Sequence, residues 1–193
     1  IQIENNLEKD LFKVISKTDA EKDPNSNFTL LLKSLQLKTF QSGDLLAIKP
    51  TNDDEERSYS IAKTLDNEIF LSLRKHENGK CSSYLDGLKV KDNVRGRIIK
   101  NINFRIPDNF ERLILISNGT GIAPLLGMAY ENDENNQVDL IWGAKYSKTL
   151  KLFRNTINDL IDKERLSSME VVFSQDTKFP KKYVQDIITE NKS

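Results

Sequence analysis

The rhythm of this sequence changes at Pro107, and few architectures accommodate both of its halves. Before that proline lie six short runs rich in apolar, β-branched or aromatic residues, at 11–16, 28–35, 45–49, 57–61, 69–73 and 94–99. Turn chemistry separates them: Asp23-Pro24-Asn25, Ser42-Gly43-Asp44, residues 50–56, Asp66-Asn67 and Asn78-Gly79. Strands this short and this regularly spaced predict a six-stranded antiparallel β-barrel or sandwich, with one short helix over 82–88. After Pro107 the pattern alternates. Strands are expected at 113–117, 138–142 and 169–173, with helices at 123–130, through Leu150, Phe153, Ile157, Leu160 and Ile161, and from 183 to 188. Strand and helix in alternation predict a parallel sheet with helices on its faces. Pro107-Asp108-Asn109 breaks regular structure, so the chain divides into a β domain over 1–109 and an α/β domain over 110–193.

Composition narrows the function classes. A chain of 193 residues can bury a real core. Lysine and arginine total 29, as do aspartate and glutamate, so no basic excess marks a nucleic-acid partner. The longest apolar runs are too short to span a bilayer, and no signal peptide is visible. The segment is therefore expected to be soluble and cytoplasmic, without direct membrane contact. One cysteine, Cys81, rules out an internal disulfide or a cysteine-built metal site, and one histidine, His76, rules out a multi-histidine site. His76 is expected on a surface turn and Trp142 in the core. The acidic run 53–56 and the polar stretch 131–137 are expected as exposed loops, and Asp159, Asp162, Lys163 and Glu164 as the wet face of a helix.

Three short motifs carry chemistry. Ser117-Asn118-Gly119-Thr120-Gly121-Ile122-Ala123-Pro124 joins a strand to a helix. Glycines there let backbone N–H groups approach a phosphate at the positive end of the helix dipole. A plain sharp turn would use the same glycines, and both readings stay open on this motif alone. Arg57-Ser58-Tyr59-Ser60 offers a bidentate donor and, two residues on along the same strand face, a ring able to stack on a flat cofactor. An ordinary edge strand with surface arginine and tyrosine is the alternative. Gly79-Lys80-Cys81-Ser82 puts small hydroxyl residues at a helix start, as a second phosphate cradle or with Ser82 as a simple N-cap.

In this order the three motifs resemble the ferredoxin–NADP reductase superfamily, most of all the FAD- and NADPH-binding half of sulfite reductase flavoprotein and cytochrome P450 reductase. Gln41-Ser42-Gly43-Asp44, Asn103-Phe104-Arg105-Ile106-Pro107, Trp142-Gly143-Ala144-Lys145, Val172-Phe173-Ser174-Gln175-Asp176 and Lys181-Lys182-Tyr183-Val184-Gln185-Asp186 extend the likeness over roughly residues 28–190. The resemblance implies an FAD-binding barrel followed by an NAD(P)H-binding domain. It assigns Arg57 to the FAD pyrophosphate, Tyr59 to stacking on the isoalloxazine and Ser60 to a catalytic hydrogen bond near flavin N5. Gly79, Lys80, Cys81 and Ser82 would form the pyrophosphate cradle. Gly119, Thr120 and Gly121 would line the nicotinamide dinucleotide's phosphate path, and Ser174, Gln175, Lys181, Tyr183 and Gln185 would surround its adenosine. The implied reaction carries hydride from NADPH to FAD and then electrons to an acceptor protein or an FMN-binding, flavodoxin-like domain.

Three departures qualify the likeness. Only residues 50–56 stand where sulfite- and P450-type reductases insert a helical segment, so a minimal barrel nearer plant-type ferredoxin reductase is expected. Gln175 stands where the family has the arginine that pairs with a 2′-phosphate, which leaves NADH beside NADPH as a candidate donor. The chain begins at Ile1 and ends at Ser193, before the family's Cys-Gly strand and terminal aromatic. It is thus expected to be a C-terminally incomplete piece of a longer reductase. A non-catalytic flavin- or nucleotide-binding scaffold, and a flavin domain fed by a partner protein, remain the competing readings.

Overall fold

The computed structural model describes residues 10–20, 26–51, 53–132 and 136–190. The Asp23-Pro24-Asn25 turn, Asn52 and residues 133–135 of the polar stretch lie outside them. Seven strands form the first sheet: β1 (Asp10–Lys17), β2 (Asn27–Ser34), β3 (Leu45–Ile48), β4 (Arg57–Ser60), β5 (Ala62–Lys63), β6 (Ile69–Arg74) and β7 (Asn93–Ile99). Their order is β4-β3-β7-β1-β2-β6-β5, every pair antiparallel. The two edge strands, β4 and β5, are separated in sequence by Ile61 alone. The sheet must therefore curl until its edges meet, and the result is a nearly closed barrel. Alternate residues point inward, and Phe12, Val14, Phe28, Leu30, Leu32, Ile69, Leu71, Leu73 and Val94 fill the interior. Helix α1 (Lys80–Gly87) adds Cys81 and Leu85 to that core.

Where six strands were expected there are seven. Residues 57–61 read as one strand, but the chain turns at Ile61, whose N–H donates to Asp44 O (2.8 Å) and whose carbonyl accepts from Gly43 N (2.9 Å). Beyond that corner β5 is two residues long, too short to show any alternation.

The second sheet is parallel, ordered β10-β9-β8 from β8 (Arg112–Asn118), β9 (Gln137–Ala144) and β10 (Ser168–Phe173). Central β9 is buried from Val138 to Ala144, the continuous run of a strand covered on both faces. Helices α2 (Ile122–Glu131) and α3 (Arg154–Asp162) share one core with it, where Trp142 meets Phe153 edge-on at 5.4 Å. Val184 and Ile187 of α4 (Val184–Glu190) pack with Ile141 and Val172 in a smaller one. The helix expected from Leu150 to Ile161 is two pieces, a 3₁₀ segment over Ser147–Leu152 and then α3, with Phe153 between them. No helix among the described residues is long and apolar enough to cross a membrane.

The turn Gln41-Ser42-Gly43-Asp44 locks the two sheets together. Asp44 is fully buried and accepts from Gln41 N (3.0 Å), Asn101 N (2.9 Å) and the Arg105 guanidinium, which also donates to Ser42 O (3.1 Å). Burial alone would raise its carboxyl, but these N–H groups and the Arg105 charge outweigh it and hold the pKa below the usual value. On the other side α2 lays Gly127 against the barrel. A methyl group there would collide with Ser42 Oγ and stand 2.8 Å from both Ala62 Cα and Lys63 N.

Candidate functional site

Two clefts open on the same side of this junction. The smaller, about 510 Å³, is walled by β4, the end of β6 and the start of α1. In the register of β4, Arg57 and Tyr59 fall on one strand face. Tyr59 packs against the barrel core, and burial followed by the neighbouring Cys81 thiol pushes its hydroxyl well above the ordinary tyrosine value. The Cys81 thiol is itself buried, with its pKa raised by that burial, and its Sγ lies 3.9 Å from Ile48 O. Arg57 Nη2 pairs with Glu55 (2.7 Å) and Asp53 (3.8 Å), while Nη1 donates to Glu56 O (3.3 Å).

Gly79 precedes α1, and no side chain caps the helix. Ser82 is not an N-cap. Its hydroxyl accepts from His76 N (3.1 Å) and donates to Gly79 O (3.1 Å), closing the preceding turn. A side chain at Gly79 would run into Ser82 Oγ and stand 2.9 Å from His76 Cβ. The helix thus presents its first N–H groups to the cleft, as an anion would require. Lys80, Cys81 and Ser82 all line it. Ser60 ends β4 opposite Leu45, exposed, and lines neither cleft.

The larger cleft, about 850 Å³, lies between Thr18, Asn27 and Arg74 of the barrel and the C-terminal ends of the parallel strands. Gly119 has φ +56°, the left-handed region that favours glycine, and its carbonyl accepts Trp142 Nε1 (2.9 Å). The buried tryptophan thereby pins the Gly119-Thr120-Gly121 turn, and α2 starts just beyond without a side-chain cap. Gly143 also lines the cleft, and a side chain there would strike Asn118 Oδ1. Ser174, Tyr183 and Gln185 line the far end. Gln175 and Lys181 are not among the lining residues but adjoin them. Tyr146 OH donates to Gln175 Oε1 (3.1 Å), and Lys181 Nζ sits 5.6 Å from the Tyr183 ring centroid.

Sequence reasoning missed Arg74. It lines both clefts, as does Thr120, and its Nε is buried with no hydrogen-bond partner. A lone arginine at the end of a strand gave no signal. Lys145, Lys148, Lys151 and Lys182 add positive charge to the larger cleft, against one lining carboxylate among the described residues, Asp19. That spacing of lysines after Trp142 was readable as a basic stretch. Such a lining suits a polyanionic ligand.

The chain is similar to known proteins in sequence and in fold. A family model described as the C-terminal domain of adenylate-forming reductase 03009 matches residues 104–190. The chain is 33% identical over 152 residues to the sulfite reductase [NADPH] flavoprotein alpha-component of Buchnera aphidicola subsp. Acyrthosiphon pisum, a match covering 70% of this chain and 25% of that protein. Among solved structures, ferredoxin–NADP reductase from Plasmodium falciparum with 2′P-AMP superposes with TM-score 0.69 at 21% identity, over 95% of this chain and 79% of that one. A cytochrome P450 reductase from Amycolatopsis gives TM-score 0.74 at 21% identity, covering 95% and 58%. These two likenesses concern the fold. The chain spans a quarter or less of the length of the curated relatives it matches.

Proposed function

From its membership of the ferredoxin–NADP reductase superfamily, we infer that this chain is the flavin- and nicotinamide-binding module of an NADPH-dependent flavoprotein reductase. The observation that carries the reading is the shared wall of the two clefts at Arg74 and Thr120. Flat ligands lodged one in each cleft would meet there.

The residues fit the groups that the reading requires. Arg57 and Lys80 supply charge for an FAD pyrophosphate, and the uncapped start of α1 at Gly79, Cys81 and Ser82 supplies N–H donors. Tyr59 offers its half-buried ring to the isoalloxazine, while Ser60, exposed at the strand end and outside both cleft linings, is assigned to the ring edge by the family likeness alone. In the larger cleft the Gly119-Thr120-Gly121 turn and the start of α2 receive the NADPH pyrophosphate. The orphaned Nε of Arg74 is the buried donor facing that path. Ser174, Gln175, Lys181, Tyr183 and Gln185 surround the adenosine end. A bound flavin supplies hydride acceptance followed by single-electron release. The chain's own part is to hold both ligands in contact and to keep water from the junction. The module then serves a protein acceptor or an FMN-binding domain elsewhere in its parent.

The test is spectroscopic. The purified chain is incubated with excess FAD and desalted, then mixed anaerobically with NADPH. A retained flavin band that bleaches on mixing supports the reading. A retained band that NADPH does not bleach favours a scaffold or a partner-fed domain, and no retained flavin removes the barrel site altogether.

A further inference from the structure

Arg57 is surrounded by its own loop. The Glu55 carboxylate sits 2.7 Å from Nη2 and that of Asp53 at 3.8 Å, while Glu56 O accepts from Nη1 (3.3 Å). Asp53 reaches across to the second cation of the same cleft, with Lys80 Nζ 3.4 Å from its Oδ1. Its side chain is 7% exposed, and Oδ2 is buried without a hydrogen-bond partner. One short acidic segment therefore places two carboxylates on Arg57 and Lys80, and Asp53, Glu55, Arg57 and Lys80 all line the smaller cleft. A dinucleotide pyrophosphate likewise presents anionic oxygens to such donors. Anions of both sets gathered on the same guanidinium and ammonium groups repel each other and share the same donors, so each weakens the other's hold.

We propose that Asp53 and Glu55 form an internal competitor for the flavin's pyrophosphate, which the cofactor must displace to seat itself on Arg57 and Lys80. The inference rests on the flavin reading of this cleft. Its chemistry sets a direction that a merely supporting loop would not. Were the carboxylates there to orient Arg57, neutralising them would weaken flavin binding. As competitors, they weaken it by their presence, and their removal strengthens it. The Glu55 side of the arrangement is suited to displacement, because Glu55 is 74% exposed and Arg57 44% exposed, and ion pairs this wet are weak. It makes the flavin an exchangeable ligand whose retention depends on ionic strength.

The experiment is a titration of FAD into the flavin-free chain, followed by flavin fluorescence, for wild type, the D53N/E55Q double variant and Arg57→Ala. The amides remove the charge and keep one acceptor oxygen each, enough for the one Glu55 N uses on Asp53 (3.4 Å). The double variant is expected to bind FAD about fivefold more tightly at low salt, the scale of an exposed ion pair, with the gain shrinking near about 1 M salt. Arg57→Ala is expected to bind more weakly. Unchanged or weaker binding by a folded double variant, beside a weakened Arg57→Ala, overturns the competitor and leaves the flavin seat standing. If Arg57→Ala binds FAD as wild type does, the seat itself is misassigned and the competitor falls with it. Circular dichroism verifies folding, and should the double variant not fold, Glu55→Gln alone carries the same comparison.

Discussion

Glu131, at the end of α2, accepts the backbone N–H of Ser42 at 3.1 Å, so a carboxylate from the α/β half is sealed against the barrel's tightest turn. Burial, the largest influence on it, raises its pKa even though Ser42, Lys63 and Arg105 pull the other way. A carboxyl whose folded pKa is raised gives its full stabilisation below the unfolded value and loses it as pH climbs through the folded one. Wild type should therefore lose stability relative to Glu131→Gln as pH rises from below the usual glutamate range to neutrality. Urea unfolding of both proteins across that range measures it, and a constant difference would rule it out. Glu131→Ala, which also orphans the Ser42 N–H, should cost about 1–3 kcal/mol at low pH, and that cost should shrink as pH rises and the wild-type carboxyl ionises.

Gly127→Ala tests the junction by sterics alone. Alanine is the better helix former by about 1 kcal/mol, yet the new methyl group meets backbone atoms of Ala62 and Lys63 that cannot move aside. Overpacking should win, with a net loss of about 1–3 kcal/mol. Flavin reduction should slow as α2 is pushed off the barrel. A stabilised variant in thermal melts would mean that the two halves do not pack as described.

Arg74→Ala removes the guanidinium, with its buried Nε, from the wall the clefts share. Losing a charge-assisted hydrogen bond of about 1.5–3 kcal/mol should raise the KM for NADPH roughly tenfold or more. FAD retention should change far less. Steady-state kinetics beside flavin content separate the two effects, and a loss of FAD retention as large as the loss of NADPH affinity would mean that Arg74 serves both ligands equally.

Gln175→Arg addresses donor choice. Gln175 Oε1 is tied to Tyr146 OH at 3.1 Å, beside a cleft already rich in lysine. An arginine there can pair with a 2′-phosphate in bidentate fashion. The ratio of kcat/KM for NADPH over NADH should rise about tenfold, corresponding to about 1.4 kcal/mol. An unchanged ratio removes this loop from the 2′-phosphate site.

Much of this was legible in the residues, for identifiable reasons. The strand-to-helix turn at Gly119 showed because glycine, apolar run and helical spacing coincide within eight residues. β9 showed because it is buried on both faces and, Asp139 apart, reads apolar from Val138 to Ala144. What stayed hidden depends on contacts distant in sequence. β5 pairs through two residues only, and its existence rests on the corner at Ile61. Gly127 looks like any helical glycine until Ser42, 85 positions earlier, is seen beneath it. Ser82 reads as a cap, yet its partners are His76 and Gly79 behind it rather than the helix ahead. Arg74 carries no motif, and only the meeting of the two clefts gives it meaning.

Because Arg74 and Thr120 belong to both cleft walls, neither ligand can settle without touching the other's boundary. Equilibrium thermodynamics then requires the exchange to be mutual. Whatever factor a seated flavin contributes to nicotinamide affinity through that wall, a seated nicotinamide returns to the flavin in full, so the donor itself would help to decide how tightly the cofactor is held.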